Sequence, residues 1–289
     1  MPRLRLLLDF LRPRRSYAYG REHNCQRAEL WLPAGDGPHP VLVTIHGGSW
    51  RAGYTKFVMR GLAGDLVRRG FAVWNIEYRC VGRGQGGGWP ATFADVASAI
   101  DALAGLKAPV DIDAVTVLGH SAGAALALWA GSRASLPAGA PGANPLVSPI
   151  AIVAQAAPAD LAGIYRATGG GAVASLMGGS PERFADRYAL ADPLARVPLP
   201  MPTLLVHGTD DRVVSALHSR NYARAARAAG GAGAGVGLVE LDRDASTRHR
   251  SHLDPASPAW AVVVRWLALR NAALNSRQAA PGLPGCPTC

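Results

Sequence analysis

The sequence predicts an α/β fold, a mostly parallel central sheet flanked by helices, in one chain of 289 residues. Short β-branched runs alternate with segments of helical spacing for most of the length, which is the pattern of a parallel sheet covered by helices. No stretch is compositionally foreign to the rest, and a chain of this size can bury one large core. Three of the predicted strands run straight into glycine- or histidine-bearing turns, where open α/β sheets place their sites.

The elements follow in order. Residues 1–18 begin MPRLRLLLDFLRPRR, whose leucines and arginines read as a short amphipathic helix; Asp9 interrupts the apolar run and no small-residue cleavage site follows. Residues 41–45 (VLVTI) are a buried strand ending in His46-Gly47-Gly48-Ser49-Trp50, and residues 56–69 have helical spacing with Gly70 as the C-cap. Residues 71–78 (FAVWNIEY) are a second strand, and the five glycines of residues 79–89 exclude regular structure there. A helix over 90–106 carries Asp95 near its first turn, where a carboxylate suits the helix dipole.

Residues 114–118 form the third strand, 122–130 an alanine-rich helix, and 150–154 a further strand. Residues 158–200 show no clear period and read as an insertion after the sixth strand, a lid over one end of the sheet. Strand 203–206, helix 216–229, strand 238–241 and a closing helix from Pro258 to 274 complete the domain, spanning 19–274, with 275–289 as a disordered tail.

Composition narrows the function. The formal charge is +10, but the basic residues are scattered and nearly all arginine, with lysine only at Lys56 and Lys107, so a nucleic-acid partner is not expected. The cysteines Cys25, Cys80, Cys286 and Cys289 do not make a disulfide framework, and the terminal CxxC has no second pair to complete a zinc site. Residues 86–89 (GGGW) lack the Lys-Ser/Thr of a phosphate loop. No segment reaches the roughly 18 apolar residues a membrane span needs. A soluble cytoplasmic protein with no metal and no cofactor is the expectation.

The stretch VTVLGHSAGAAL over residues 115–126 carries the chemistry. A strand enters Gly119-His120-Ser121-Ala122-Gly123 and a helix leaves it, the setting in which G-x-S-x-G is a nucleophile elbow rather than a helix cap. A serine hydroxyl is a weak nucleophile until a base takes its proton, so a histidine and a carboxylate are required downstream.

With both present, the sequence resembles the α/β-hydrolase superfamily from about residue 19 to 272, and HGGSW with GHSAG are similar to its esterase-lipase and arylformamidase branches. The resemblance implies the α/β-hydrolase fold and a Ser-His-Asp triad. Its acid falls in His207-Gly208-Thr209-Asp210-Asp211, where Asp211 matches and Asp210 is the neighbouring alternative. Its base matches His252 in Ser251-His252-Leu253-Asp254, although the family often has glycine in place of Ser251; His249, in the same loop, competes.

The amides of Gly48, Ser49 and Ala122 are the expected oxyanion donors, and Trp50 and His120 the candidate substrate-binding side chains, with Trp50 also placed to pack beneath the loop. The implied activity is hydrolysis of small carboxylic esters through an acyl-enzyme. Arylformamidase activity on N-formylkynurenine is an alternative, weakened by Ala125 where those enzymes commonly have histidine; small-peptide hydrolysis and a catalytically silent ligand-binding member are the others. Residues 158–200 and loop 79–89 are the expected pocket walls.

Overall fold

A computed structural model describes residues 14–230, 235–242 and 248–279, with side chains to residue 272. Eight strands, β1 (Arg15–Ala18), β2 (Arg27–Trp31), β3 (His39–Ile45), β4 (Ala72–Ile76), β5 (Val110–His120), β6 (Ala151–Gln155), β7 (Thr203–Gly208) and β8 (Val236–Leu241), form one sheet. Their order is β1-β2-β4-β3-β5-β6-β7-β8. The β1-β2 and β2-β4 pairs are antiparallel and every other pair is parallel, so β3 to β8 all present their carboxyl ends on one edge.

Alternate residues of the central strands feed two cores. Val41, Val43, Ile45, Trp74, Val117 and Ile152 face one layer, which includes α2 (Ala91–Asp101) and α3 (Ala122–Gly131). Leu42, Val73, Leu118, Val153 and Val206 face the other, where α1 (Arg60–Arg68) and the start of α8 (Pro258–Ala279) supply Leu62, Leu66, Trp260 and Val263. Burial on both faces is why these strands read as unbroken apolar runs. Each fully buried Val or Leu contributes about 1.5–3 kcal/mol.

Two boundaries and one residue's role differ from the sequence reading. Residues 15–18, assigned to the N-terminal helical segment, pair as an edge strand with β2, and Tyr17 lies 5.6 Å from the Trp74 ring; residues 1–13 lie outside the described residues. The closing helix runs past residue 274 to Ala279, while 280–289, with the CxxC, lie outside the described residues. Asp95 does not serve the α2 dipole. It is buried and takes a forked pair of bonds from the Arg79 guanidinium, a third from the Arg79 amide and one from Gln26 Nε2, so it anchors the loop after β4.

The segment after β6 holds three short helices, α4 (Leu161–Thr168), α5 (Gly171–Met177) and α6 (Ala185–Ala191). Asp160 caps α4 by accepting from the Gly163 amide at 2.7 Å. Asp192 accepts from the Leu161 and Ala162 amides, both at 2.9 Å, and so ties the end of the segment back to its start. Helix α7 (Leu217–Ala228) then returns the chain to β8. Among the described residues no helix is long and apolar enough to cross a membrane.

Candidate active site

β5 ends at His120 and α3 starts at Ala122, leaving Ser121 alone in the turn with φ 54 and ψ −124. That backbone is strained for a residue with a Cβ, and the Ser121 N–H holds it by donating to Gln155 O at 2.8 Å. The flanking glycines are steric requirements. A Cβ on Gly119 would sit 2.1 Å from Gly123 O, and one on Gly123 would sit 2.2 Å from Ile45 O.

The loop after β3 lies against this turn. Gly48 has φ 123 and passes so close to Tyr54 that a Cβ would meet it at 2.4 Å, while Ser49 and Trp50 are also left-handed at φ 55 and 56. Trp50 is buried and its Nε1–H donates to Ala122 O at 3.1 Å, pinning the loop to the first turn of α3. Beneath, Tyr78 Oη donates to His46 O at 2.8 Å, and the buried His46 ring bridges Gly47 O at 2.8 Å and Glu77 Oε1 at 2.5 Å. Burial pushes the Glu77 carboxyl up, but the bonds from His46 and the Lys56 amide hold it below the usual range, as an anion. Glu77 carries a role that no sequence motif marked.

Among the described residues, the amides of Gly48, Ser49 and Ala122 have no backbone acceptor. Ser49 and Ala122 line the same cavity as Ser121, and the Ala122 amide is at the N-terminus of α3. Gly48 and Ser49 also border Ser121 in the smaller cleft, so donors without a backbone acceptor surround the serine.

Asp211 follows β7 in a turn whose Val213 and Val214 amides donate to Oδ1 at 2.8 and 3.0 Å. Its Oδ2 lies 2.7 Å from His249 Nδ1 and 3.5 Å from His207 Nε2. Burial raises the carboxyl's pKa, and the two histidines with the Val214 amide outweigh it, holding Asp211 well below the usual carboxylate range. His249 Nε2 is 2.8 Å from Ser121 Oγ. With Nδ1–H donating to the carboxylate, Nε2 is the unprotonated acceptor for the serine proton. Asp210 stays outside this line, partly exposed and 3.9 Å from Arg212 Nε.

The expected base, His252, hydrogen-bonds neither Asp211 nor Ser121. Residues His249–Leu253 form a 3₁₀ turn, and His252 lies one turn deeper than His249, fully buried, with neither ring nitrogen hydrogen-bonded among the described residues. Burial, then His207 and His249, push its pKa down to about 3, so it is neutral. His120, expected to bind substrate, lines the smaller of the two clefts at Ser121. Its Nε2–H donates to His249 O at 2.8 Å, which fixes the backbone that carries the base; burial and the neighbouring histidines lower its pKa to about 3.

Two clefts meet at Ser121. A larger one of about 520 Å³ is walled by Trp50, Pro158, Ile164, Val173 and Val213, so residues of 158–173 and 211–218 shape it and loop 79–89 does not. A smaller one of about 230 Å³ runs past Tyr54, Val58, His249, Arg250 and Leu253.

Comparison with known proteins relates the chain to esterases. A family model described as BD-FAE matches residues 29–225. Esterase LipQ of Mycobacterium tuberculosis (strain H37Rv) is 31% identical over 209 residues, covering 67% of this chain, which spans about half (47%) of the length of that curated relative. A structure of a bifunctional GH43-CE protein of Bacteroides eggerthii is 26% identical with a TM-score of 0.66, covering 81% of this chain and 35% of its own. Esterase B of Lactobacillus rhamnosis shares the fold at 18% identity and a TM-score of 0.75, covering 96% of this chain and 92% of its own.

Proposed function

This chain belongs to the BD-FAE family, and from that premise we propose that it is a serine hydrolase cleaving small carboxylic esters through an acyl-enzyme. The observation that carries the reading is the unbroken line from Asp211 Oδ2 through the His249 ring to Ser121 Oγ, at 2.7 and 2.8 Å. Ser121 Oγ attacks the ester carbonyl while its proton passes to His249 Nε2, and Asp211 stabilises the imidazolium. The carbonyl oxygen becomes an oxyanion held by the Gly48, Ser49 and Ala122 amides.

Collapse of the tetrahedral centre breaks the bond to the alcohol oxygen, which leaves with the proton from Nε2. Water then attacks the acyl-enzyme, giving its proton to Nε2. The second collapse returns that proton to Ser121 Oγ and releases a carboxylic acid, which ionises in solvent. The apolar walls of the larger cleft suit a short acyl chain.

A fluorophosphonate probe tests the reading, with peptide mapping to locate the adduct. Ser121 is the expected site, and Ser121→Ala loses both labelling and p-nitrophenyl acetate hydrolysis. Unchanged hydrolysis in Ser121→Ala overturns Ser121 as the nucleophile, and an unlabelled Ser121 in folded protein that cleaves no ester favours a silent ligand-binding member. N-formylkynurenine in the same substrate panel separates the arylformamidase alternative.

A further inference from the structure

The surroundings of His249 point to the alcohol half of the substrate, an inference that rests on the ester-hydrolase reading. In that chemistry the proton on His249 Nε2 must reach the leaving oxygen, so the alcohol half lies on the histidine's side of Ser121. That side is the smaller cleft, and it shares Val213, His249 and Arg250 with an outer hollow of about 460 Å³. The acyl half is left the larger, mostly apolar cleft.

The outer hollow is strongly cationic. Besides the shared residues it is lined by Arg212, Arg248 and Asp210. Asp210 is its one free carboxylate among the described residues and stands 3.9 Å from Arg212, whose side chain is 88% exposed. Asp211 is already engaged by His249 and two amides. Among the described residues neither Arg248 nor Arg250 has a carboxylate partner, and both are exposed. Among the described residues, three guanidinium groups against one available carboxylate leave an excess of positive charge along the leaving group's exit path. The planar fork of arginine matches a carboxylate's two oxygens.

We propose that the enzyme is selective for esters whose alcohol half carries a carboxylate, received by the rim of Arg212, Arg248 and Arg250. The test compares butyrate esters of a hydroxybutanoate and of the matching hydroxybutanamide, which differ in charge on the alcohol half alone. A second pair, ethyl hemisuccinate and ethyl succinamate, places the charge on the acyl half. At low ionic strength kcat/KM for the anionic alcohol ester exceeds that of its amide by about tenfold, the size expected of two or three exposed charge pairs acting together. Raising salt to about 0.5 M brings the ratio toward one, because exposed charges are then screened.

Arg248→Gln and Arg250→Gln each lower the ratio several-fold, and the acyl-charged pair shows no such advantage. A parent ratio near one, a ratio unmoved in both variants, or an equal advantage for the acyl-charged ester overturns the proposal. In each of those cases continued Ser121-dependent cleavage of the neutral esters leaves the ester-hydrolase reading standing. If no ester is cleaved, that reading falls and the rim proposal with it.

Discussion

His249 and His252 show what a single side chain's depth decides. They are three residues apart in a 3₁₀ turn, where i and i+3 eclipse and share one side. Both rings therefore flank His120, at 4.9 and 6.0 Å, and spacing alone cannot separate them. Burial separates them, with His249 in the cleft beside Ser121 and His252 fully buried. The neighbours held a clue, since His249 lies between two arginines that belong in solvent, whereas Leu253 follows His252. Asp211 was legible because the HGTDD turn fixes its place after a strand. The expected outcome is a loss of kcat by at least about 10⁴-fold in His249→Ala, as for other triad bases. His252→Leu, by contrast, keeps kcat within about fivefold, since it touches neither partner of the relay. Ester hydrolysis by the two purified variants checks both.

At the scale of elements, the site is two backbone corners pressed together, and each is legible to a different degree. The elbow could be read outright, since only glycine tolerates Gly123 O and Ile45 O where the Cβ atoms would be. Gly123→Ala is therefore expected to give insoluble or grossly destabilised protein, a clash between backbone groups that no rotamer relieves. Circular dichroism and soluble yield measure it. The oxyanion loop was read for its amides but not for its supports, because Glu77 and Tyr78 reach it from the end of β4 and no local pattern records that approach. Trp50 is the support that can be tested without a clash. Trp50→Phe keeps the ring in the core and removes the bond to Ala122 O, so the loop loses its tie to α3. We expect kcat to fall about tenfold with KM changed less than twofold, since misplaced donors weaken the transition state more than the ground state. Steady-state kinetics on p-nitrophenyl acetate resolve the two constants. Strands β1 and β2 were invisible for a related reason: RSYA and RAELW are too short to announce themselves, and become strands as β2 pairs with β4 and β1 pairs with β2 at the sheet edge.

For the molecule as a whole, histidine burial sets how stability responds to acid. Folding places His120 and His252 where burial favours the neutral ring, with pKa values near 3 against about 6.5 in an unfolded chain. The unfolded state then binds more protons than the native state across that interval, so each group's contribution is complete above about pH 6.5 and is lost as pH falls toward 3. Asp211 has the same sign in a lower window, since its depressed carboxyl costs stability only when pH drops below the ordinary carboxylate range. Burial raises the Asp192 carboxyl to about 6, within the same interval, so the parent's melting curve alone does not isolate His252. The difference between parent and His252→Leu does. At pH 7 the leucine removes two buried ring nitrogens that lack partners among the described residues, and the variant melts no lower than the parent. From pH 6.5 to 5 the parent pays up to about 1.4 kcal/mol per pH unit to keep this ring neutral, and the variant does not. Its margin in Tm over the parent should widen by about 2–4 °C for each unit of acidification, the shift expected per kcal/mol in a domain of this size. Calorimetry of the two proteins at pH 7, 6 and 5 reads that margin, and a constant or shrinking difference would show that His252 is charged in the folded protein.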